Sequence, residues 1–275
     1  MSDHRLLHHT IHRSSDENAP WLVFVHGAGG SSTVWFKQLR NFREGNYNIL
    51  MIDLRGHGGS VFFRDWISNE PHAFEEICKD VVDVLNHHNI PPSHMVGISL
   101  GTLVIRKIAE DYPEYVSSLI MGGAIVKFNL RSRFLVWLVH RVKKLLPFIW
   151  IYKIYAFILM PRKRHRKSRN LFVRQAKKLY HQEFLRWIGI TQQIKPLMKF
   201  FRENNTQHPV LYIMGDEDYM FLPSVKMVAS RHKNARLVIV PESGHVVNVD
   251  QPRHFNRIVR TFVNGLTARK FNDPK

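Results

Sequence analysis

Only one cysteine, Cys78, occurs in the 275 residues, so no disulfide can close within the chain, and a reducing, cytoplasmic setting fits. Its helix-like surroundings predict a semi-buried structural residue. The opening stretch MSDHRLLHHT is polar and His-rich, with no apolar core before a cleavage site, so no secretory signal is expected. Acids are scarce: 22 Asp and Glu face 40 Lys and Arg, a formal charge of +18. No internal repeat is present. The apolar share is 44%, enough to build a core. A chain of this length predicts one sizeable domain with an insertion rather than two independent units.

What is present alternates. WLVFVH (21–26), YNILMID (47–53), HMVGIS (94–99), SSLIMGG (117–123), PVLYIMG (209–215) and RLVIVP (236–241) are short apolar runs that end in or near Gly, Pro, Asp or polar residues. Such runs read as buried parallel strands. Helix-like segments at 72–89, 99–112 and 252–268 lie between and after them. The alternation predicts an α/β fold with a mostly parallel, doubly wound sheet. Ligands of such sheets sit at the carboxyl ends of the strands.

Groups with chemistry to offer fall at those ends. In MVGISLGTLV (95–104), Ser99 stands between Gly97 and Gly101 at a strand-to-helix junction. A G-x-S-x-G turn holds its serine in a strained conformation above the strand end, and a Cβ at either glycine would crowd the turn. The Leu100 amide then lies at a helix N-terminus, where developing negative charge is stabilised. A plain corner with a capping serine is the bland alternative. HGAGG (26–30), DLRGHGGS (53–60), GDEDYMF (215–221) and SGHVVNVD (243–250) occupy the other strand ends. HGAGG lacks the Lys-Ser/Thr ending of a phosphate loop and the G-x-G-x-x-G spacing, which argues against a nucleotide site.

These motifs, in this order, resemble the α/β-hydrolase fold family over residues 20–125 and 205–268. The resemblance implies a serine esterase- or lipase-like enzyme with a helical cap, in which Ser, acid and His follow one another along the chain. It places Ser99 as nucleophile and His245 as base, and the G-x-x-D spacing from Gly215 selects Asp218 as the orienting acid. Asp216 reads as a turn residue that bonds nearby amides, and Glu217 as pointing to solvent. The stretch MGGAIVKFN, where some relatives carry the acid, has none. The oxyanion donors implied are the amides of Ala28 and Leu100, with Gly27 and Gly29 as alternatives to Ala28. His57 reads as structural and His26 as supporting.

The division expected is a first core segment 1–126, a cap insertion 127–205 and a second core segment 206–275. Residues 127–203 hold 20 Lys and Arg but only two acids, Glu183 and Glu203, so this stretch carries the whole formal charge of +18. In RSRFLVWLVHRVKKLL (131–146), Phe134, Leu135, Leu138, Val139, Val142, Leu145 and Leu146 share one broad arc of a helical wheel. Arg133, His140, Arg141, Lys143 and Lys144 take the other side, with Val136 the exception. The aromatic run PFIWIYKIYAFILM (147–160) is too short to span a bilayer and is broken by Lys153. PRKRHRKSR (161–169) follows. A basic amphipathic segment predicts peripheral binding to an anionic membrane, and its aliphatic content suits lipid better than nucleic acid. The alternative is that the apolar arc packs on the core and the charges face water.

The expectation is therefore a hydrolase of carboxylic esters, with lipophilic acyl esters as substrates and no metal or organic cofactor. Carbon–carbon hydrolysis, perhydrolysis and a non-catalytic ligand-binding role on the same fold remain open alternatives.

Overall fold

The computed structural model describes residues 6–61, 72–142 and 145–272. Residues 1–5 of the N-terminal stretch and Lys143 and Lys144 of the amphipathic stretch lie outside them. Strands β1 (His9–His12), β2 (Trp21–Val25), β3 (Asn48–Ile52), β4 (Ser93–Ile98), β5 (Val116–Gly122), β6 (Val210–Gly215) and β7 (Ala235–Val240) form a seven-stranded sheet. Their order is β1-β3-β2-β4-β5-β6-β7. All neighbours run parallel except β1, which pairs antiparallel with β3, His9 opposite Ile52 and His12 opposite Ile49.

The apolar runs become strands because both faces of the sheet are covered. Every residue of β2, β3, β4 and β6 is buried. Alternation along β2 sends Val23 and Val25 to one side and Leu22 and Phe24 to the other. The first side packs on α2 (Phe74–His87) and α3 (Leu100–Asp111), through residues such as Phe74, Val81, Val104 and Ile108. The second packs on Trp35, on Phe42 of α1 (Phe36–Arg43), and on Phe255, Val259 and Val263 of the C-terminal helix (Pro252–Asn272). Cys78, on α2, is fully buried rather than semi-buried, and burial pushes its thiol up. Strand β1 had no counterpart among the apolar runs. It is a half-buried edge strand of His, Thr and Ile, and its pairing with β3 makes it a strand.

Between β5 and β6 lies a helical insertion: α4 (Leu130–Val142), α5 (Phe148–Leu159), α6 (Arg166–Ala176), α7 (His181–Gly189) and α8 (Thr191–Glu203). It has a small core of its own, which includes Ile151, Tyr152, Ala176, Leu179 and Phe184. The expected apolar arc of residues 131–146 is split. Leu135 is buried, whereas Phe134 is 59% exposed and Leu145 lies beyond the helix at 80%. Val136, the exception on the wheel, faces a cavity with Leu135 and Val139. Helices α9 (Leu222–Arg231), α10 (Val247–Asp250) and α11, the C-terminal helix, complete the described chain.

The winding fixes where a ligand goes. From β2 the chain moves to β3 on one side, then returns to place β4 on the other. This is the topological switch point, and a crevice opens there above the carboxyl ends. Residues 26–30 leave β2 at that crevice and Ser99 leaves β4 beside them. Phe24 anchors the sheet beneath, with no exposure and ring contacts to Trp35 at 5.1 Å and Phe42 at 6.1 Å. Phe24→Ala is expected to cost about 3–5 kcal/mol of unfolding free energy, as for other large-to-small core changes, read from urea denaturation.

Candidate active site

Ser99 has φ 55 and ψ −121, in the left-handed region that non-glycine residues seldom enter. The turn is held from three sides. The Ser99 amide donates to the Gly122 carbonyl at 3.0 Å, and the Thr102 amide and hydroxyl donate to the Ser99 carbonyl at 2.9 and 2.6 Å. The two flanking glycines are required by close approach. A Cβ on Gly97 would stand 2.7 Å from the Gly101 carbonyl group, across the turn. A Cβ on Gly101 would stand 2.3 Å from the Val25 carbonyl oxygen, so this glycine lets α3 press against β2.

The fold brings Ser99, His245 and Asp218 together from three separate loops. His245 Nε2 lies 2.9 Å from the Ser99 hydroxyl, and Nδ1 lies 2.8 Å from Asp218 Oδ2. An ionised carboxylate only accepts, so Nδ1 carries the proton and Nε2 is left to accept from the hydroxyl. His245 is 2% and Asp218 1% exposed. Asp218 Oδ1 also accepts the Phe221 amide at 3.1 Å, which fixes the carboxylate plane. Asp216 is exposed and accepts the Ser243 amide at 3.2 Å, tying the acid loop to the histidine loop. Gly123 carries a positive φ of 49, and a Cβ there would stand 2.2 Å from the His245 carbonyl oxygen. Sequence reasoning noted the missing acid after β5 but missed this role of Gly123. The doubled glycine at the strand end was the available signal.

Above β2, the Gly30 amide donates to the Gly27 carbonyl at 3.0 Å, closing a tight turn. The Gly29 amide donates to His57 Nε2 at 3.0 Å, so it faces away from Ser99 chemistry. The Ala28 and Leu100 amides have no hydrogen-bond partner among the described residues, and both residues line the crevice with Ser99. His57 Nδ1 donates to the Arg55 carbonyl at 3.0 Å, and burial holds this imidazole down at about 3. His26 accepts the Leu54 amide at 2.9 Å and is likewise lowered by burial. Two neutral, buried imidazoles therefore brace the glycine loop. Asp53 backs them: burial alone would raise its pKa, but amide bonds from Gly59 and Ser32 prevail and lower it.

The insertion closes the crevice into a cavity of about 200 Å³. Ala28, Ser99 and His245 line it from below, and Leu135, Ile151, Tyr152, Tyr155, Phe184 and Trp187 are among the residues above. Among the described residues, its lining includes no Lys, Arg, Asp or Glu. Tyr152 presses on the glycine loop, since a Cβ on Gly29 would stand 2.9 Å from its hydroxyl. Tyr155 is pushed up to about 12 by burial and by the nearby Asp218 charge.

Glu217 does not point to solvent as the sequence suggested. It is 7% exposed and faces the basic segment of the insertion. Arg162 lies 3.0 Å from it, Arg164 3.7 Å, and the fully buried His165 comes within 2.8 Å, too poorly aligned for a hydrogen bond. Arg164 also meets Glu242 at 2.9 Å, and Ser168 bonds Asp250. Part of the PRKRHRKSR run is thus an anchor between the insertion and the loops that carry Asp218 and His245. At the other end of the crevice, Glu183 is buried against His72 and Arg186.

The chain belongs to the alpha/beta hydrolase family, whose model matches residues 22–257. A Pseudomonas savastanoi protein named carbamate hydrolase RutD is 28% identical over 278 residues, spanning 94% of this chain and 99% of its own. A protein of the same name from Variovorax paradoxus is 33% identical over 126 residues, 46% of this chain and 45% of its own length. An esterase from Exiguobacterium antarcticum superposes with a TM-score of 0.78 at 16% identity, covering 94% of this chain and 95% of the other. Hydrolysis is the reaction class that these names carry.

The buried imidazoles set an acid limb. A histidine whose folded pKa is depressed contributes stability that is present above 6.5 and is lost as pH falls toward about 3. Urea denaturation from pH 7 to pH 4 should show unfolding free energy falling with pH. His57→Gln, which keeps an acceptor for the Gly29 amide, should flatten that fall. An unchanged slope would remove His57 from the acid limb.

Proposed function

We propose that this hydrolase cleaves carboxylic esters through Ser99, His245 and Asp218, with lipophilic acyl esters as its substrates. The observation that carries the reading is the chain of contacts, 2.9 Å from Ser99 to His245 and 2.8 Å from His245 to Asp218, at the floor of a cavity lined by apolar and aromatic side chains. Ser99 Oγ attacks the carbonyl carbon while its proton passes to His245 Nε2. The tetrahedral oxyanion is held by the Ala28 and Leu100 amides, and one such donor contributes about 3–4 kcal/mol. His245 returns the proton to the leaving alcohol. It then takes a proton from water, whose oxygen attacks the acyl-enzyme, and returns that proton to Ser99 Oγ as the acid is released. Asp218 holds the productive tautomer throughout.

The lining, which includes no Lys, Arg, Asp or Glu among the described residues, supports a neutral, apolar acyl portion, because a charge entering it would lose hydration without gaining a partner. The relatives are named for carbamate hydrolysis, and the same attack would serve a carbamate carbonyl, so carbamates belong in the test. The reading places residues 127–205 as a cap over the site. It also includes a cytoplasmic position with peripheral attraction to anionic membrane, supported by the +18 charge of that segment. Among the described residues no helix is long and apolar enough to cross a membrane.

A fluorophosphonate probe should label the wild-type protein, and Ser99→Ala should abolish both labelling and turnover of acyl esters. Labelling of the alanine variant would sink the assignment. A panel of esters and carbamates of increasing chain length should show kcat/KM rising with acyl length. Asp218→Asn should lower kcat by about four orders of magnitude through the wrong histidine tautomer, whereas Asp216→Asn should be mild. The reverse order of damage would show that Asp216 is the acid.

A further inference from the structure

Helix α5, FIWIYKIYAFIL, carries a single charge, Lys153, and is apolar or aromatic all round. A helix of that composition belongs in a protein core or against lipid. Here only one side is covered. Ile151, Tyr152, Tyr155 and Leu159 wall the cavity above Ser99. The opposite arc leaves Trp150 56%, Ile154 48%, Phe157 60% and Ile158 39% exposed. At 3.6 residues per turn these four and Lys153 share an arc of about 140°. Scattered apolar residues on a surface need no explanation, but a continuous aromatic and aliphatic stripe does.

A cationic groove runs alongside. Between α5 and α6 a hollow of about 450 Å³ is floored by Ala156, Phe157 and Val173 and rimmed by Lys153, Arg169, Arg174 and Lys177. No acid lines it, and none of these four cations has a carboxylate partner among the described residues. Instead Lys153 sits 4.7 Å over the Trp150 ring and Arg169 5.5 Å over Phe157. Arg169 Nη1 also donates to the Met160 and Arg162 carbonyls, and Arg162 and Arg164 are engaged by Glu217 and Glu242, so Lys153, Arg174 and Lys177 are the groove cations without a hydrogen-bond partner among the described residues.

We infer that the outer arc of α5, with the cationic groove between α5 and α6, is the surface by which this protein inserts into the headgroup layer of an anionic phospholipid bilayer. The inference rests on the anionic-membrane part of the proposed function and gives it a face. Trp and Phe beside aliphatics settle at the boundary of headgroup and acyl chain, while the flanking cations reach lipid phosphates. A twelve-residue helix is too short to span, so it lies in the interface. A second copy of the chain fits poorly as the occupant, since it would set the same cations against these. Nucleic acid offers phosphates but nothing to cover Ile154 and Ile158. Because Ile151, Tyr152, Tyr155 and Leu159 of the same helix wall the cavity, the docked face and the cavity above Ser99 are two sides of one helix.

The test uses the full chain and sucrose-loaded vesicles, with binding read by sedimentation and insertion by quenching of tryptophan with brominated phosphatidylcholine. Vesicles of phosphatidylglycerol and phosphatidylcholine should bind the protein at low salt and quench its tryptophan emission; pure phosphatidylcholine should bind weakly. The triple variant Trp150→Ser, Ile154→Ser, Phe157→Ser should weaken binding by at least about tenfold and reduce the quenching, with its thermal melt retained. The triple variant Lys153→Gln, Arg174→Gln, Lys177→Gln, all at exposed positions, should lose the preference for anionic vesicles. Binding without quenching, or undiminished binding by both variants, would overturn the insertion face while leaving electrostatic attraction intact. No binding to anionic vesicles, or retention by RNA alone, would overturn the membrane reading as well. Since binding is read without turnover, none of these outcomes bears on Ser99 chemistry.

Discussion

One strained residue organises this molecule. Ser99 is held at φ 55, a conformation that costs about 1–3 kcal/mol in an ordinary side-chain-bearing residue. It persists because its surroundings leave no alternative. The β5 carbonyl of Gly122 takes its amide, Thr102 takes its carbonyl, and α3 is pressed so close to β2 that Gly101 has no room for a Cβ. The sheet order β2-β4-β5 is therefore part of the site. Strand β2 supplies the glycine loop on one side of Ser99, and β5 leads into Gly123, against which the His245 backbone rests. Buried cores on both faces of the sheet supply the stability that the strain draws on.

The insertion meets the sheet in two chemically different ways. Over the crevice the contact is apolar, and no Lys, Arg, Asp or Glu lines the cavity among the described residues. At its edges the contact is ionic. Glu183 is buried beside His72 and Arg186 at one end, and Glu217 gathers Arg162, Arg164 and His165 at the other. The Glu183–Arg186 pair is buried, whereas Arg162 and Arg164 are half exposed. A buried pair contributes little net stability, but breaking one partner away is costly, so it specifies position. Lys153 of α5, Arg174 of α6 and the following Lys177 have no carboxylate partner among the described residues and line the groove between those helices.

Much of the architecture was legible in the sequence. Strands buried on both faces read as unbroken apolar runs, and the motifs at their ends carry their own turn chemistry. Ser99, His245 and Asp218, which the family resemblance singles out, stand within hydrogen-bond reach of one another. Other features were hidden for physical reasons. Strand β1 is polar, and its pairing with β3 is a tertiary fact that no local pattern announces. Glu217 looked solvent-facing because its partners lie more than fifty residues earlier, and a charge count cannot show which arginines are spent. The wheel drawn for residues 131–146 assumed one face, whereas α4 ends at Val142 and turns only Leu135, Val136 and Val139 toward the cavity.

Asp218 and Glu217 are consecutive, yet they serve opposite neighbours. One carboxylate faces His245 and the other faces the insertion. A peptide unit shared in this way makes the insertion a poor module for exchange. Grafting the helices of another family member onto this sheet would strand Glu217 without Arg162 and Arg164, and a shift of its backbone would carry the adjacent Asp218 with it. The helical insertion of this chain is thus tied to its own acid loop. A chimera that respects the chemistry would have to carry residues 215–221 along with residues 127–205 as one unit.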